Sequence, residues 1–168
     1  MATARYHATA SIRRVAMAIG LSFALIGASA QAPRSTKSAV LAANAQFYAA
    51  INAMFTGNIG PIEAVWSPAD DVTYMGPNGE YEYGWSAVLN DWEKQATLKL
   101  GGHVEPVEIH VIAGRDVAVV SDYEEGENTN ANGKVQRVKL RATNMFRKEG
   151  GQWKVVGHHT DHLSYVAK

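Results

Sequence analysis

The stretch KVQRVKLRATNMFRKEGGQWKVVGHHT, Lys134 to Thr160, consists of two alternating segments separated by a pair of glycines. Alternation with a period of two is typical of β-strands, because successive side chains point to opposite faces of a sheet. The Gly150-Gly151 pair predicts a tight turn between the two strands. The stretch therefore predicts an antiparallel hairpin whose first strand turns one apolar face toward a core, formed by Val138, Leu140, Ala142 and Phe146.

The rest of the chain places helices first and strands later. Apolar residues recur every three or four positions from Ala39 to Phe55 and from Trp85 to Leu98, and Pro61 opens a short apolar segment, which together predict three helices. DDVTYMGPNGEYEYG (70–84) predicts a strand pair, and two more alternating segments precede the hairpin. This order predicts the α+β class, a cone-shaped, curved antiparallel sheet with three helices packed across it. The open mouth of such a cone is a natural small-molecule pocket.

The N-terminal thirty residues differ from the rest of the chain. Three arginines are followed by an uncharged apolar run, Val15 to Ala28, and by the small-residue pattern Ala28-Ser29-Ala30. That order predicts a secretory signal peptide over residues 1–30, with an uncleaved N-terminal anchor as the alternative. We expect a polar lead-in over residues 31–38 and one domain over residues 39–168. The exported domain would then lie in the periplasm or outside the cell, with no membrane association after cleavage.

Composition excludes several classes of function. Of the 16 Lys and Arg residues, three lie in the predicted signal peptide, so the remaining 13 face 16 Asp and Glu, a net charge of −3. No basic face is expected, and nucleic acid is not an expected partner. The chain has no cysteine, which excludes thiol catalysis and cysteine-ligated zinc. Neither a Gly-rich phosphate loop nor a Gly-x-Ser-x-Gly elbow is present, and no cofactor is expected.

Three pieces of the sequence resemble the nuclear transport factor 2-like superfamily, and within it the SnoaL-like group. They are WSPADDVTYMGPNGEYEYGW (66–85), LRATNMFRKEGGQWKVVGHHTD (140–161) and the helix between Ala39 and Gly57. The resemblance implies a cone-shaped α+β barrel, a homodimer formed through the sheet, and a pocket between helices and sheet. It does not imply one reaction, because members include isomerases, cyclases, dehydratases, hydrolases and binding modules.

One implication of the resemblance fails in this sequence. Ketosteroid isomerases of the superfamily carry a general-base aspartate just before the proline of the strand-pair segment, where this chain has Gly76 before Pro77. Their oxyanion-hole tyrosine comes from the first helix, where this chain offers Tyr48. Steroid isomerase chemistry is therefore disfavoured, and Tyr48 stays a candidate ligand-binding residue.

The C-terminal segment HHTDH supplies the candidate proton carriers. Neighbouring residues of a strand point to opposite faces, so His158 and His159 cannot both enter one pocket, and such a pair is a poor metal chelate. The sequence alone does not decide which of the two faces inward. We expect His159 as an acid or base whose tautomer is fixed by Asp161, and His158 as a ligand-binding residue. No metal site is expected.

The strand before the turn adds three polar candidates. Arg141 and Thr143 share one face, and Arg141 is expected opposite His158 or His159, where it would stabilise an anion or a carbonyl; the alternative is a cross-strand ion pair. Asn144 is the polar residue on the apolar face and needs a partner if it is buried.

Two aromatic residues and one acidic run complete the candidates. In the implied fold, Tyr74 and Trp85 would stand near the mouth of the cone and contact a ligand. The acidic run DYEEGEN (122–128) is interpreted as a solvated hairpin end rather than a calcium site.

The sequence therefore predicts an exported domain that binds a small, partly apolar molecule. Its enzymatic form would use cofactor-free acid/base chemistry, with His159 carrying the proton and Arg141 or Asn144 stabilising developing charge. The alternatives are a non-catalytic binding or oligomerisation module of the same fold and, third, a metal-dependent hydrolase built on HHTDH.

Overall fold

The computed structural model describes residues 35–130 and 132–162. Within them, three helices and six strands follow one another in the predicted order. Their bounds are α1 Thr36–Met54, α2 Gly60–Val65, β1 Thr73–Met75, β2 Tyr81–Tyr83, α3 Trp85–Leu98, β3 His103–Ala113, β4 Val117–Thr129, β5 Val135–Glu149 and β6 Gln152–His162.

The first helix begins three residues before the predicted Ala39. Ser35 caps it, because the Ser35 hydroxyl oxygen accepts a hydrogen bond from the backbone N–H of Ser38 at 3.2 Å. The helix ends at Met54, and Gly57 follows with a φ of 93°, a left-handed conformation that glycine adopts at low cost. The predicted signal peptide (1–30) and the first part of the predicted lead-in lie outside the described residues.

The six strands form one curled, unclosed sheet in the order β2-β1-β6-β5-β4-β3. All neighbouring pairs are antiparallel except β1 and β6, which run parallel. The helices cover the inner face, and the predicted α+β class is confirmed. β1 thus joins the sheet beside β6, the last strand in the chain, and Tyr74 pairs with His158 there.

The hairpin of β5 and β6 has the predicted turn but not the predicted register. Glu149 pairs with Gln152 across Gly150-Gly151, and an irregularity between Met145 and Phe146 then shifts the pairing by one residue. As a result Arg141 lies opposite Asp161. The expectation that Arg141 lies opposite His158 or His159 is therefore wrong. The pairing of Glu149 with Gln152 alone would place Arg141 opposite Thr160, and the irregularity, which adds one residue on β6, moves its partner one residue further to Asp161.

An aromatic cluster forms the centre of the core. The ring of Phe47 on α1 is fully buried and meets Trp66 and Trp92 edge-on, with centroid distances of 6.1 and 6.3 Å. Trp66 and Trp92 are themselves almost completely buried. These large rings fill one end of the space between helices and sheet, and each contributes about 3–5 kcal/mol relative to alanine when buried in this way.

Candidate functional site

A cavity of about 950 Å³ lies between the inner face of the sheet and the helices α1 and α3. The helices and the sheet both contribute to its apolar wall, which includes Ile51, Met54, Phe55, Trp92, Leu98, Leu100, Val138 and Leu140. Its polar wall includes a smaller group of side chains: Tyr74, Glu124, Asn128, His158 and Thr160. An apolar cavity of this size with a few convergent polar groups has the form of a small-molecule site.

His158 faces the cavity from β6. Its ring is 4% exposed and packs against Phe47, Tyr74 and Trp92 at centroid distances of 4.9, 5.9 and 6.0 Å. Burial, and to a smaller extent the neighbouring charge of His159, lower the pKa of His158 to about 3. The ring is therefore neutral at physiological pH and carries one N–H and one acceptor nitrogen.

A chain of buried hydrogen bonds decides which nitrogen of His158 carries the proton. Asn44 donates from Nδ2 to the Asp122 carboxylate at 3.4 Å, and Asn144 donates from Nδ2 to Asn44 Oδ1 at 2.9 Å. The remaining Asn144 Oδ1 lies 2.6 Å from His158 Nδ1 and can only accept. His158 therefore donates from Nδ1–H, and Nε2 keeps a lone pair with no hydrogen-bond partner among the described residues.

Asp122 anchors this chain on the inner face of β4. Its Oδ1 accepts a hydrogen bond of 2.7 Å from the hydroxyl of Tyr48, and its Oδ2 accepts from Asn44. Burial raises the pKa of Asp122 to about 6, although these hydrogen bonds act in the opposite direction. Burial and the nearby carboxyls raise the pKa of Tyr48, so its hydroxyl keeps the proton that it donates.

Glu124 is a buried acidic side chain of the cavity wall. It is 5% exposed, lies two residues after Asp122 on the same face, and lines the cavity. Its Oε2 is buried without a hydrogen-bond partner among the described residues. Burial first, and the charge of Asp122 second, raise the pKa of Glu124 to about 7. A carboxyl that titrates near neutral pH inside a cavity is suited to proton transfer.

Tyr74 lines the cavity from β1. Its hydroxyl oxygen accepts a hydrogen bond of 2.9 Å from Gln95 Nε2, which also donates to Asp91 at 2.7 Å. The Tyr74 hydroxyl keeps its own proton, because burial raises its pKa. It can therefore donate to a ligand.

A side chain at position 76, where the resemblance to ketosteroid isomerases would place an aspartate, would require the side chains around it to shift. A Cβ there would lie 2.8 Å from the Tyr74 hydroxyl oxygen and would also collide with the carboxylate of Glu80. Glu80 lines the cavity. The space that an aspartate at position 76 would need is thus occupied by the carboxylate from position 80.

The three predicted catalytic residues lie together on the outer face of the sheet. Arg141 donates from Nε to Asp161 Oδ1 at 3.1 Å and forms a second bond from its Nη2 to Asp161 Oδ2. His159 is exposed on this face, opposite Thr143. Arg141, Thr143, His159 and Asp161 are all absent from the wall of the cavity. A catalytic role for Arg141, His159 and Asp161 stays a prediction that the cavity does not support.

The other predicted residues have structural contacts instead of a place in the cavity wall. Tyr48 and Asn144 belong to the buried chain of hydrogen bonds that orients His158. Trp85 stacks on Trp66, with ring centroids 6.1 Å apart and planes 29° apart. Of the nine predicted site residues, only Tyr74 and His158 line the cavity itself.

The acidic run of β4 was the main feature that sequence reasoning missed. Asp122, Glu124 and Asn128 are all buried on the inner face, so the interpretation of the run as a solvated hairpin end is wrong for them. Apolar residues occur on both faces of this strand, for example Val119 on one and Val120 on the other. The alternation therefore does not show which face points to the core. One signal did indicate the correct face: Ala118 and Val120 are apolar, and in a strand they point to the same side as Asp122.

Residues 35–130 and 132–162 bring together no three His, Cys, Asp or Glu side chains in a position to hold a metal ion. No helix within these residues combines the length and the hydrophobicity that a membrane crossing requires.

Comparison with known proteins identifies the class of the fold and then the family. Residues 40–167 match the family model of the SnoaL-like domain. The match spans most of the chain, and the protein belongs to the SnoaL-like domain family. The predicted membership of the nuclear transport factor 2-like superfamily is confirmed. Comparison with curated proteins gives no significant match.

Several solved structures share the fold. A proposed dehydratase of the NTF2-like family from Streptomyces avermitilis is 22% identical, with 78% of this chain and 99% of the other covered and a TM-score of 0.68. A proposed calcium/calmodulin-dependent protein kinase type II association domain from Thiobacillus denitrificans is 26% identical, with 73% and 94% covered and a TM-score of 0.61. A proposed ketosteroid isomerase from Shewanella frigidimarina is 19% identical, with 76% and 98% covered and a TM-score of 0.61.

Proposed function

We propose that this protein is an exported SnoaL-like domain that binds a small, partly apolar molecule in its cavity and transfers a proton to or from it without a cofactor. The observation that carries the proposal is the buried, unpartnered Oε2 of Glu124 in the polar wall of a cavity of about 950 Å³. Burying a carboxyl without a partner costs stability, and such a cost is typical of functional sites.

Each polar group of the cavity has a distinct role in this proposal. Glu124, whose pKa is about 7, exists in both protonation states near neutral pH and is the proton carrier. His158 stays neutral and accepts a hydrogen bond at Nε2, which orients the bound molecule. Tyr74 keeps its hydroxyl proton and donates a hydrogen bond to an oxygen of the molecule on which negative charge develops. The apolar wall excludes water from these groups.

The first prediction concerns where a ligand binds. N-phenyl-1-naphthylamine, an uncharged dye that fluoresces in apolar sites, is expected to bind one molecule per cavity. In ¹⁵N–¹H NMR spectra, binding should shift the resonances of Tyr74, Val138 and Thr160, which line the cavity, and leave those of Ser121 and Thr143 on the outer face unchanged. The reason is that the cavity is the large apolar recess between the sheet and the helices.

Two adjacent histidines provide a matched control for this prediction. His158→Gln is expected to alter dye affinity about tenfold or more, and His159→Gln to leave it unchanged, because neighbouring residues of β6 face opposite sides of the sheet. Circular dichroism would establish that both variants fold. If the dye shifted only resonances of the outer face, or if only His159→Gln lost binding, the binding site would lie at the outer-face residues Arg141, His159 and Asp161 and not in the cavity.

The second prediction concerns export and assembly. We propose that the chain is cleaved after Ala30 and that two copies associate through the outer face of the sheet. Three apolar side chains form a row across this face, since Ile112, Val119 and Met145 are cross-strand neighbours, and Ile112 is 76% exposed. A row of this kind supports a contact with a second copy.

Native mass spectrometry of the protein from the exported fraction tests both parts. The expected species is a dimer of chains that begin at Gln31, and Val119→Arg should convert it to a monomer, because it places a charge in the middle of the row. A chain that retains residues 1–30 would contradict export by cleavage. A discrete extra mass would identify a bound molecule, whose conversion should fall about 10²–10⁴-fold in Glu124→Gln.

A non-catalytic assembly module is the second candidate function. The association domains among the similar structures and the apolar row on the outer face favour it. A dimer that binds neither the dye nor any copurified molecule would select this candidate over the first.

A further inference from the structure

We infer that the ligand of this cavity is an organic cation, a molecule with an apolar body and a protonated amine that pairs with the carboxylate of Glu124. The inference rests on the proposed function, because it names the class of molecule that the same cavity takes. It starts from Glu124, which is 5% exposed and whose Oε2 has no hydrogen-bond partner among the described residues. A buried carboxylate in this state is stabilised most by a positively charged donor.

The described chain does not supply that positive charge itself. Its ion pairs join Arg115, Lys139, Arg141 and Arg147 to acidic residues other than Glu124. The charged neighbour of Glu124 on the same face of β4 is Asp122, which carries the same sign. A ligand cation would therefore complete an interaction that the fold leaves open.

The charge of the cavity wall also favours a cation. Four acidic residues line it, Glu80, Asp91, Glu108 and Glu124, against two basic residues, Arg137 and Lys139. The Lys139 ammonium group is bound by Glu125 at 2.7 Å. Three of the four acidic side chains, those of residues 80, 91 and 124, act electrostatically on the Tyr74 hydroxyl. The resulting negative potential attracts cations and repels anions.

The uncharged part of the wall fits the rest of such a molecule. The rings of Tyr74 and Trp92 lie with their centroids 4.9 Å apart and line the cavity, and aromatic faces attract ammonium groups. His158 Nε2 and Asn128 Oδ1 are further acceptors without partners in the described chain. Among the described residues that line the cavity, one buried donor also lacks a hydrogen-bond partner, the indole N–H of Trp92.

A bound cation would also prepare the proposed chemistry. Positive charge beside Glu124 favours its ionised form and lowers its pKa. Binding would thus convert the carboxyl into the base form, which can accept a proton from a carbon next to a carbonyl group of the molecule. The C–H bond breaks, the proton moves to Glu124 Oε2, and the electron pair moves to the carbonyl oxygen, to which the Tyr74 hydroxyl donates a hydrogen bond.

Three indole compounds of matched shape test the inference. Tryptamine is a cation at pH 7.5, tryptophol is its uncharged alcohol, and indole-3-propionate is an anion. In calorimetric titrations of the exported protein, tryptamine is expected to bind about tenfold more tightly than tryptophol, and indole-3-propionate more weakly than both. Glu124→Gln should remove the preference for tryptamine, whereas Glu127→Gln, an exposed residue on the opposite face of β4, should preserve it.

Each outcome bears on the inference. Equal binding of tryptamine and tryptophol would overturn the assignment to a cation and leave the proposed function standing. A preference that persists in Glu124→Gln would overturn the role of Glu124. Failure of both compounds to bind would overturn the inference and the proposed function together. As a measurement independent of variants, the ¹³C resonance of the Glu124 carboxyl should move toward its ionised value with tryptamine and not with tryptophol.

Discussion

Replacing Asn144 by alanine is expected to lower the free energy of unfolding by about 2–4 kcal/mol and to release His158 from its single tautomer. Asn144 is fully buried and joins His158 Nδ1 to Asn44 Oδ1 at 2.6 and 2.9 Å. The variant leaves one donor and one acceptor buried without partners, each of which costs about 1–3 kcal/mol. Chemical denaturation measures the loss of stability, and the ¹⁵N shifts of the imidazole measure the tautomer.

Thr143→Ala is the matched control for this prediction. Thr143 precedes Asn144 on β5 but points to the outer face, opposite His159. Its replacement is expected to change the free energy of unfolding by less than about 1 kcal/mol and to leave the ¹⁵N shifts of His158 unchanged. If the two variants were equally stable, or if His158 kept its Nδ1–H tautomer in Asn144→Ala, the chain of hydrogen bonds would not orient the ring.

Replacing Glu124 by glutamine is expected to stabilise the protein at pH 8 by about 2–3 kcal/mol. The pKa of Glu124 is raised from 4.5 to about 7 in the folded protein, so the folded state holds the proton more tightly than the unfolded state does. The contribution of this carboxyl to stability is fully present below pH 4.5 and is lost as the pH rises to about 7. Glutamine carries no charge and avoids that loss.

The difference between wild type and variant isolates Glu124 from its neighbours. Asp122 has a pKa raised to about 6 and loses stability in an overlapping pH range, but it is present in both proteins. Tyr48 and Tyr74 face the same region and keep their protons, since burial raises their pKa values. The stabilisation should therefore shrink from pH 8 to pH 5, as followed by thermal unfolding.

Glu127→Gln serves as the control for stability as well. Glu127 is exposed on the outer face of β4, and its replacement is expected to change stability by less than about 0.5 kcal/mol at either pH. A Glu124→Gln variant that is less stable than wild type at pH 8 would mean that the carboxylate has a partner in solution. The description of Glu124 as an unsatisfied group would then be wrong.

The fold was predictable from sequence to a greater extent than the site. The apolar face of β5 was assigned correctly, and Asn144 stood out on it as a polar residue that needs a partner. The site depends on Glu124, whose neighbours in the sequence suggest an exposed position. Glu124 sits in a run of acids, and a run of acids is solvated far more often than it is buried.

The amino-acid sequence by itself determined the order of helices and strands, the α+β class and the position of the hairpin turn. These follow from periodicity and from turn residues, which are properties of short segments. Only the tertiary structure decided that His158 and not His159 faces the cavity, and that Arg141 pairs with Asp161. The physical reason is that a shift of one residue exchanges the two faces of a strand, and the irregularity beside Met145 that sets this shift arises only when β6 pairs with its neighbours.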